Sequence, residues 1–290
     1  MKFLSRVVWS EGMYLGPHHF QTQSRYFEDS IAFLVASLWH EPWGFLHFEL
    51  DQKAIRNGSA VVLHASGVFP DGLAFELPNS DPPPEARNLQ EVFPSTDAVL
   101  PLYLAVPGRR DNGFDCDLNT VASHTRYARM QRTLRDETNG IDEREIELGQ
   151  KNIQIVTEAE LTPDTQSIPF ARVLRDGRGH LIYDEEFIPT CLRASASEQL
   201  MLLVKRLIET IGEKSATIAR SARRHGRFEA GSSALDVANY WFLHALHNAI
   251  PPLQHLSATK HAHPEELFIE LSRLAGALCT AACTRDLQPA

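Results

Sequence analysis

The sequence lacks an excess of positive charge and any strong bias towards a few residue types. Its 290 residues include 37 Asp and Glu against 28 Lys and Arg, which gives a formal net charge of −9 at pH 7. The overall basic surface of a nucleic-acid-binding protein is therefore not expected. Hydrophobic residues make up 43% and charged residues 22% of the chain, which excludes a disordered or collagen-like protein. A chain of this length is typical of about two folded domains.

Cysteine is also scarce, and its spacing contains no CxxC pair. The four cysteines are Cys116, Cys191, Cys279 and Cys283, too few for a disulfide scaffold in a chain of this size. Cys279 and Cys283 lie four residues apart and share one face of a predicted helix. We interpret them as small buried apolar residues, with a redox or metal pair as the alternative.

Long hydrophobic runs are missing as well. The longest window without a formal charge, residues 237–259, contains histidines, asparagines and the pair Pro251-Pro252, whereas a membrane-spanning helix needs about 20 predominantly apolar residues. We interpret this window as a buried helix followed by a loop. The apolar run before Ser10 is too short for the core of a signal peptide. The sequence therefore predicts a cytoplasmic protein that is not inserted in a membrane.

The familiar catalytic motifs are absent: the sequence contains no GxSxG, Walker A, HExxH or GxGxxG. His244 and His247 could share a zinc ion on one helix face, but no carboxylate accompanies them at ExxH spacing. Residues 220–227 hold four arginines and a histidine. We interpret these as cations at a helix C-terminus, with a phosphate site as the alternative. No enzyme activity and no catalytic, cofactor-binding or metal-binding residue is predicted.

The first two thirds of the chain carry the pattern of a β-rich domain. Two turn motifs, Pro70-Asp71-Gly72 and Asp176-Gly177-Arg178-Gly179, predict hairpins. Short strands at this spacing favour an antiparallel sandwich over βαβ units. One helix, at about residues 17–37, precedes them because apolar residues recur there near helical spacing. The predicted strands cover residues 45–50, 60–69, 73–77, 100–106, 127–134, 145–148, 152–157, 168–174 and 180–183.

The last third of the chain has a helical pattern. Helices are predicted to begin near Ser195 or Ser197, at about residue 233 and at Pro264, and the second is expected to end near Ala249 before a connection over residues 251–264. These helices indicate a bundle. We therefore predict an α+β protein, with an antiparallel β-sandwich in residues 1–192 and a helical bundle in residues 193–290.

The first helix of this bundle has a coiled-coil rhythm. Its apolar residues step alternately by four and three with one polar member, the a/d spacing of a helix seam. Such a seam packs either against helices of the same chain or against other copies, and the pattern leaves both open. The seam residues are Leu200, Val204, Leu207, Ile211, Lys214 and Ile218.

A cluster of apolar and aromatic residues lies in a segment near the N-terminus that has no regular periodicity. Such a cluster is expected either to pack on the chain's own sandwich or to bind a partner, because aromatic residues and Met are favoured in interface cores. The candidate docking residues are Trp9, Glu11, Gly12, Met13, Leu15, Pro17, His18, His19 and Phe20.

This segment resembles the N-terminal signature of the TssK family, also named ImpJ or VasE, the baseplate proteins of type VI secretion systems. The signature runs approximately Trp-x-Glu-Gly-Met-x-Leu-x-Pro-Gln/His-His-Phe-Gln. Residues 9–21 fit it, with His18 where glutamine is frequent. Further similarity lies at residues 42–44, 168–173 and 187–193.

The resemblance implies a cytoplasmic homotrimer that links the baseplate wedge to the membrane complex, without a cofactor or catalysis. Residues 1–192 would form a β-sandwich shoulder similar to that of siphophage receptor-binding proteins, and residues 193–290 a helical neck. The shoulder would bind the wedge proteins TssF and TssG. Contacts with TssL and TssM would be made only through a C-terminal head, which is not expected within these 290 residues.

A second function remains open from the residues alone. The sandwich could instead be a carbohydrate- or receptor-binding module of a tail-like protein. Such a module should present an exposed aromatic residue and carboxylates around a pocket. Residues 111–117, with Phe114, are the one weak candidate.

Overall fold

A computed structural model describes residues 4–93, 98–110, 113–117, 124–224, 234–259 and 261–281. The chain divides into two compact units, Met1–Thr190 and Cys191–Ala290. The first unit is rich in strands and the second consists of helices, so the predicted α+β class is confirmed. Three features of the sequence analysis lie outside the described part of the chain: Cys283, residues 225–227 and the predicted helix start at residue 233.

The first unit contains two α-helices and twelve strands in the described residues. The helices are α1 (Pro17–Leu38) and α2 (Gln52–Arg56). The strands are β1 (Gly44–Leu50), β2 (Ser59–Ala60), β3 (Val62–Val68), β4 (Ala74–Leu77), β5 (Arg87–Asn88), β6 (Val99–Pro107), β7 (Cys116–Asp117), β8 (Tyr127–Arg135), β9 (Glu143–Lys151), β10 (Gln154–Thr157), β11 (Thr165–Arg175) and β12 (Leu181–Tyr183).

Two antiparallel sheets supply the core of this unit. One has the strand order β1-β3-β4 and the other β10-β6-β11-β12. Strand β6 follows the alternation expected of a half-buried strand, with Leu102 and Leu104 buried. Aromatic side chains join the sheets: the ring centroid of Phe48 lies 5.6 Å from that of Phe170, which is itself buried. The two sheets therefore bury their apolar faces against each other, as in a sandwich.

The turn motifs form the two hairpins that the sequence predicts. Strands β3 and β4 pair antiparallel around Pro70-Asp71-Gly72, and β11 and β12 pair around residues 176–180. The Asp71 side chain accepts a hydrogen bond from the Leu73 N–H, 3.1 Å away. Gly72 has φ +92°, and a Cβ on it would lie 2.9 Å from Cβ of Ala32 in α1. Glycine is required here both by the backbone conformation and by the close approach of α1.

The second unit consists of α3 (Glu198–Arg224), α4 (Ala234–Ala258) and α5 (Pro264–Ala281). Of the two predicted start residues, Ser195 and Ser197, Ser197 caps α3: its Oγ accepts a hydrogen bond from the Leu200 N–H at 3.2 Å. Helices α3 and α4 pack together, as do α4 and α5. The core between them contains the buried residues Val204, Ile211, Leu246, Leu253, Leu267 and Leu274.

The predicted end of the second bundle helix near Ala249 is wrong. Helix α4 continues through Pro251 and Pro252 as far as Ala258. A proline inside a helix removes one hydrogen bond and disfavours the helix by about 3 kcal/mol. The longer helix offsets this by burying Leu253 and Leu256 in the bundle core. The sequence rule for proline was outweighed by tertiary packing.

No helix in the described ranges combines the length and the apolar character that a membrane span requires.

Candidate functional site

The N-terminal segment, residues 4–16, lies in front of α1 and has no regular secondary structure. It turns at Gly12, whose φ of +79° is a conformation that favours glycine. No atom lies within 4 Å of a Cβ built on Gly12. The backbone conformation of the turn therefore accounts for this glycine, rather than lack of space.

The start of α1 is built from Gly16 and from two of the predicted residues. Pro17 occupies the first turn, where a missing N–H is tolerated. The Gly16 N–H donates to Nδ1 of His19 at 3.2 Å, so the His19 side chain satisfies a backbone donor at the helix start as Glu or Gln does in a capping box. The sequence analysis placed His19 among the candidate docking residues and did not identify this capping role.

The apolar side chains of the N-terminal segment are exposed. Trp9 is 51%, Tyr14 90% and Phe20 57% exposed. The ring of Trp9 lies 6.2 Å from those of both His19 and Phe20, which folds the segment back onto the start of α1. Of the nine predicted docking residues, Met13 and His19 are half-buried and the other seven are exposed. Most of the predicted docking residues are therefore left in solvent within this chain.

Helix α1 continues this apolar surface. Five residues, which we name the α1 stripe, recur at steps of seven, four, three and four and are 55–70% exposed. Asp29 is the only buried residue of the helix. Surface helices usually bury the apolar face and expose the charged one, so the orientation of α1 is the reverse of the usual one. The α1 stripe consists of Phe20, Phe27, Ile31, Leu34 and Leu38.

Ion pairs hold the opposite face of α1 to the β-rich unit. Arg109, which follows β6, pairs with Asp29 at 2.7 Å and also with Glu28. Arg25 pairs with Asp115 at 2.9 Å. Burial alone would lower the pKa of Arg109, but the hydrogen bond and the charge of Asp29 outweigh it and raise that pKa above its ordinary value. Charged contacts therefore set the orientation that turns the α1 stripe outward.

The predicted seam of α3 lies mainly inside the bundle of the same chain. Val204 and Ile211 are buried in the bundle core, and Leu200 and Leu207 pack against it half-buried. Ile218 is half-buried further along the helix, and Lys214 is exposed. Large apolar residues that are exposed among the described residues of this unit were not predicted, and they are Leu202, Leu203, Tyr240, Trp241, Phe268 and Ile269.

The other candidate sites are occupied by internal contacts. Nε2 of His247 lies 2.6 Å from Oγ of the buried Ser215, and Nε2 of His244 lies 3.0 Å from the side-chain amide of Asn248. In the parts of the chain that the structure describes, no three His, Cys, Asp or Glu side chains lie close enough together to hold a metal ion. In the weak carbohydrate candidate, the Asp115 carboxylate already binds Arg25 and the Arg110 N–H.

The chain was compared with known protein families and curated proteins. A family described as bacterial type VI secretion, with the names EvfL, ImpJ and VasE, matches residues 19–289. The type VI secretion system baseplate component TssK1 of Pseudomonas aeruginosa is 32% identical over 285 residues. The match covers 97% of this chain and 62% of that protein, so the chain spans less than two thirds of the length of this relative.

Solved structures of TssK have the same fold. A crystal structure of TssK superposes with a TM-score of 0.87 at 23% identity, covering 99% of this chain and 64% of that one. A TssK chain in a TssK-TssF-TssG baseplate subcomplex gives 0.84 at 24% identity, covering 99% and 92%. A chain in a type VI secretion baseplate complex gives 0.84 at 25% identity, with the same coverage.

Proposed function

Because this chain belongs to the TssK family of type VI secretion proteins, also named ImpJ and VasE, we propose that it is a structural component of a baseplate. In this proposal the chain docks onto the wedge proteins TssF and TssG through the N-terminal segment and the start of α1. It acts as a homotrimer in the cytoplasm and has no catalytic role. The curated relative is itself described as a baseplate component, and a related chain has been solved together with TssF and TssG.

The exposed apolar surface of the N-terminal segment and the α1 stripe is the observation that carries this proposal. Monomeric proteins rarely leave a contiguous apolar patch of this kind uncovered, and exposed patches mark interaction sites. Trp and Tyr are also the residues most enriched among those that dominate binding energy. Tyr14 is 90% exposed, so its ring is almost entirely in contact with solvent. Docking to a partner would bury these side chains.

The ion pairs under α1 give this surface a fixed orientation. Arg109 binds two carboxylates of α1, while Arg25 reaches from α1 to Asp115. A partner that meets a helix already held in place loses less conformational entropy on binding than one that must order a free helix. This arrangement supports docking to a preformed surface.

Trimer formation would need a second surface, because most residues of the α3 seam pack against helices of the same chain. The exposed residues Leu202, Leu203, Phe268 and Ile269 of the helical unit are the candidates. Side chains of this size that are left in water favour association. Contacts with TssL and TssM, which the family resemblance assigns to a C-terminal head, involve no residue of the surfaces proposed here.

Docking is tested by co-purification with TssF and TssG. We expect deletion of residues 1–16, and separately the double variant Tyr14→Ser/Phe20→Ser, to abolish or strongly weaken recovery of the wedge proteins. The control Leu63→Ser changes an exposed apolar residue of β3 and should leave recovery unchanged. Circular dichroism of each variant establishes that the fold is intact. Unchanged recovery with both N-terminal variants would exclude this segment as the docking site.

A further inference from the structure

The β-rich unit carries a two-stranded arm whose faces are both exposed. Strands β8 and β9 pair over nine positions, from Tyr127↔Lys151 to Arg135↔Glu143. Strand β7 adds only two residues, beside Tyr127 and Ala128. Residues 131–147 are all exposed. An isolated two-stranded hairpin is at best marginally stable in water, so an arm of this length gains from being covered.

One face of the arm carries two ion pairs that join its strands. Arg129 pairs with Glu147 at 2.5 Å, and Arg135 pairs with Glu143 at 2.9 Å. Gln131 and Thr133 lie between these pairs on the same face, because alternate residues of a strand point the same way. We name this the paired face. Its two arginines already have carboxylate partners, and Glu145, opposite Thr133, adds a further negative charge to this face.

The other face differs in both polarity and charge. We name it the open face, and it consists of Met130, Arg132, Leu134, Arg144, Ile146 and Leu148. Leu134 and Ile146 are each 40% exposed. Arg132 lies directly opposite Ile146, and Arg144 opposite Leu134. Each arginine thus faces an apolar residue, and within the described ranges neither of the two forms an ion pair.

Strand β9 adds a hydrogen-bonding edge to this face. Among the strands of the described residues, β8 is its only neighbour, so the main-chain groups along its other side are available to a further strand. An extended segment that pairs with such an edge gains main-chain hydrogen bonds, while its alternate side chains give specificity. Those side chains would lie beside Arg144, Ile146 and Leu148.

We propose that the open face and the free edge of β9 bind an extended, acidic segment of a partner protein. Its side chains on this face would combine carboxylates, placed beside Arg144 and the diagonally adjacent Arg132, with apolar residues placed beside Ile146 and Leu148. An acidic partner is proposed because its carboxylates would complement the charges of Arg132 and Arg144. Bidentate pairs between arginine and carboxylate are among the strongest hydrogen bonds. The apolar residues beside the two arginines and the free strand edge fit an extended peptide rather than a phosphate backbone. The surface is independent of the docking role proposed for the N-terminal segment.

A designed peptide tests this proposal with the full chain alone. The probe is fluorescein-labelled Thr-Asp-Thr-Leu-Thr-Leu-Thr-Asp-Thr, which places Asp and Leu on one face of a strand in either orientation. Fluorescence anisotropy compares the wild-type chain with Arg132→Gln/Arg144→Gln. The matched control Arg129→Gln/Arg135→Gln makes the same two substitutions, and the same change in net charge, on the paired face. A neutral peptide with Asn in place of Asp controls for apolar binding.

The expected result is saturable binding to the wild-type chain and to the paired-face variant. Binding to Arg132→Gln/Arg144→Gln, and of the neutral peptide to the wild-type chain, should be about tenfold weaker. The proposal is overturned if the wild-type chain does not bind the probe, if the open-face variant binds equally well, or if both variants lose affinity equally. Sedimentation without the probe supplies a further check. Self-association that only Arg132→Gln/Arg144→Gln abolishes would identify a second copy as the occupant, and would also overturn the proposal.

Discussion

Helices α1 and α3 carry apolar residues at the same spacing, but those of α3 are mostly packed and those of α1 are exposed. In α3 the residues from Leu200 to Ile218 step by four and three, with Lys214 as the polar member, and most of them pack into the bundle of the same chain. In α1 the residues from Phe20 to Leu38 follow the same steps, with Ser24 as the polar member, and all five apolar residues are exposed. A heptad stripe therefore predicts that a face will be covered, and leaves open which molecule covers it.

The contacts that each helix makes with the rest of its unit explain why one stripe is packed and the other exposed. The side of α1 that meets the β-rich unit contributes Arg25, Glu28 and Asp29, and its partners Arg109 and Asp115 lie far away in sequence. Helix α3 finds apolar partners on α4 instead. We therefore expect the stripe of α3 to contribute to stability, and we propose the stripe of α1 as a binding surface. Each can be tested with the same kind of substitution.

The largest effect is expected from matched Leu→Ala changes in the two regions. Leu253 is fully buried in the core that covers the α3 seam. Leu253→Ala should lower the free energy of unfolding of the helical unit by about 2–5 kcal/mol, because it leaves a cavity. Leu34→Ala in the α1 stripe should change stability by less than about 0.5 kcal/mol. Urea denaturation followed by circular dichroism measures both, and equal losses would contradict the assignment of the two stripes.

A smaller effect is expected from removing the ion pairs under α1. Arg109→Met leaves Asp29, which is 7% exposed, without its arginine, and should destabilise the docking of α1 by about 1–3 kcal/mol. Hydrogen exchange of the α1 amides should become faster, while exchange in the helical unit stays unchanged. The second-site change Asp29→Asn should restore part of the protection. Arg129→Met, which removes an exposed ion pair of the arm, is the control and should leave α1 unaffected.

The smallest effect is expected from the exposed apolar residues of the helical unit. Phe268 is 70% exposed, so Phe268→Ser should not reduce the stability of the single chain. If this surface joins copies of the chain, the substitution should weaken self-association by about tenfold, measured by sedimentation over a range of concentrations. Association of the variant at the wild-type strength would show that trimer contacts lie elsewhere.

Local chemistry explains what could be predicted from the sequence. The turn at Pro70-Asp71-Gly72 and the cap at Ser197 depend on residues within a few positions of each other. The turn was correctly predicted, and Ser197 was one of the two predicted caps. The β-rich and helical parts follow from periodicity, which is also local. The family resemblance came from a short segment with an unusual order of residue types, centred on Gly12 and Met13.

Long-range packing explains what could not be predicted. The continuation of α4 through Pro251 depends on the burial of Leu253 and Leu256 by other helices, which no local rule contains. The outward orientation of α1 depends on Arg109, 80 residues away from Asp29. The two strands of the arm were predicted, but their exposure was not. It arises because they join neither of the two core sheets. In each case the deciding partner is distant in sequence.

Hydroxyl-radical footprinting of the native aromatic residues tests the central claim most directly, because it needs no substitution. The oxidation rates of Trp9 and Tyr14 are measured by mass spectrometry in the free chain and in its purified complex with TssF and TssG. Tyr183, which is buried within the sandwich, serves as the internal reference. We predict rapid oxidation of Tyr14 in the free chain and strong protection in the complex. Oxidation of Trp9 and Tyr14 at the free rate, in a complex shown to contain the wedge proteins, would contradict the account.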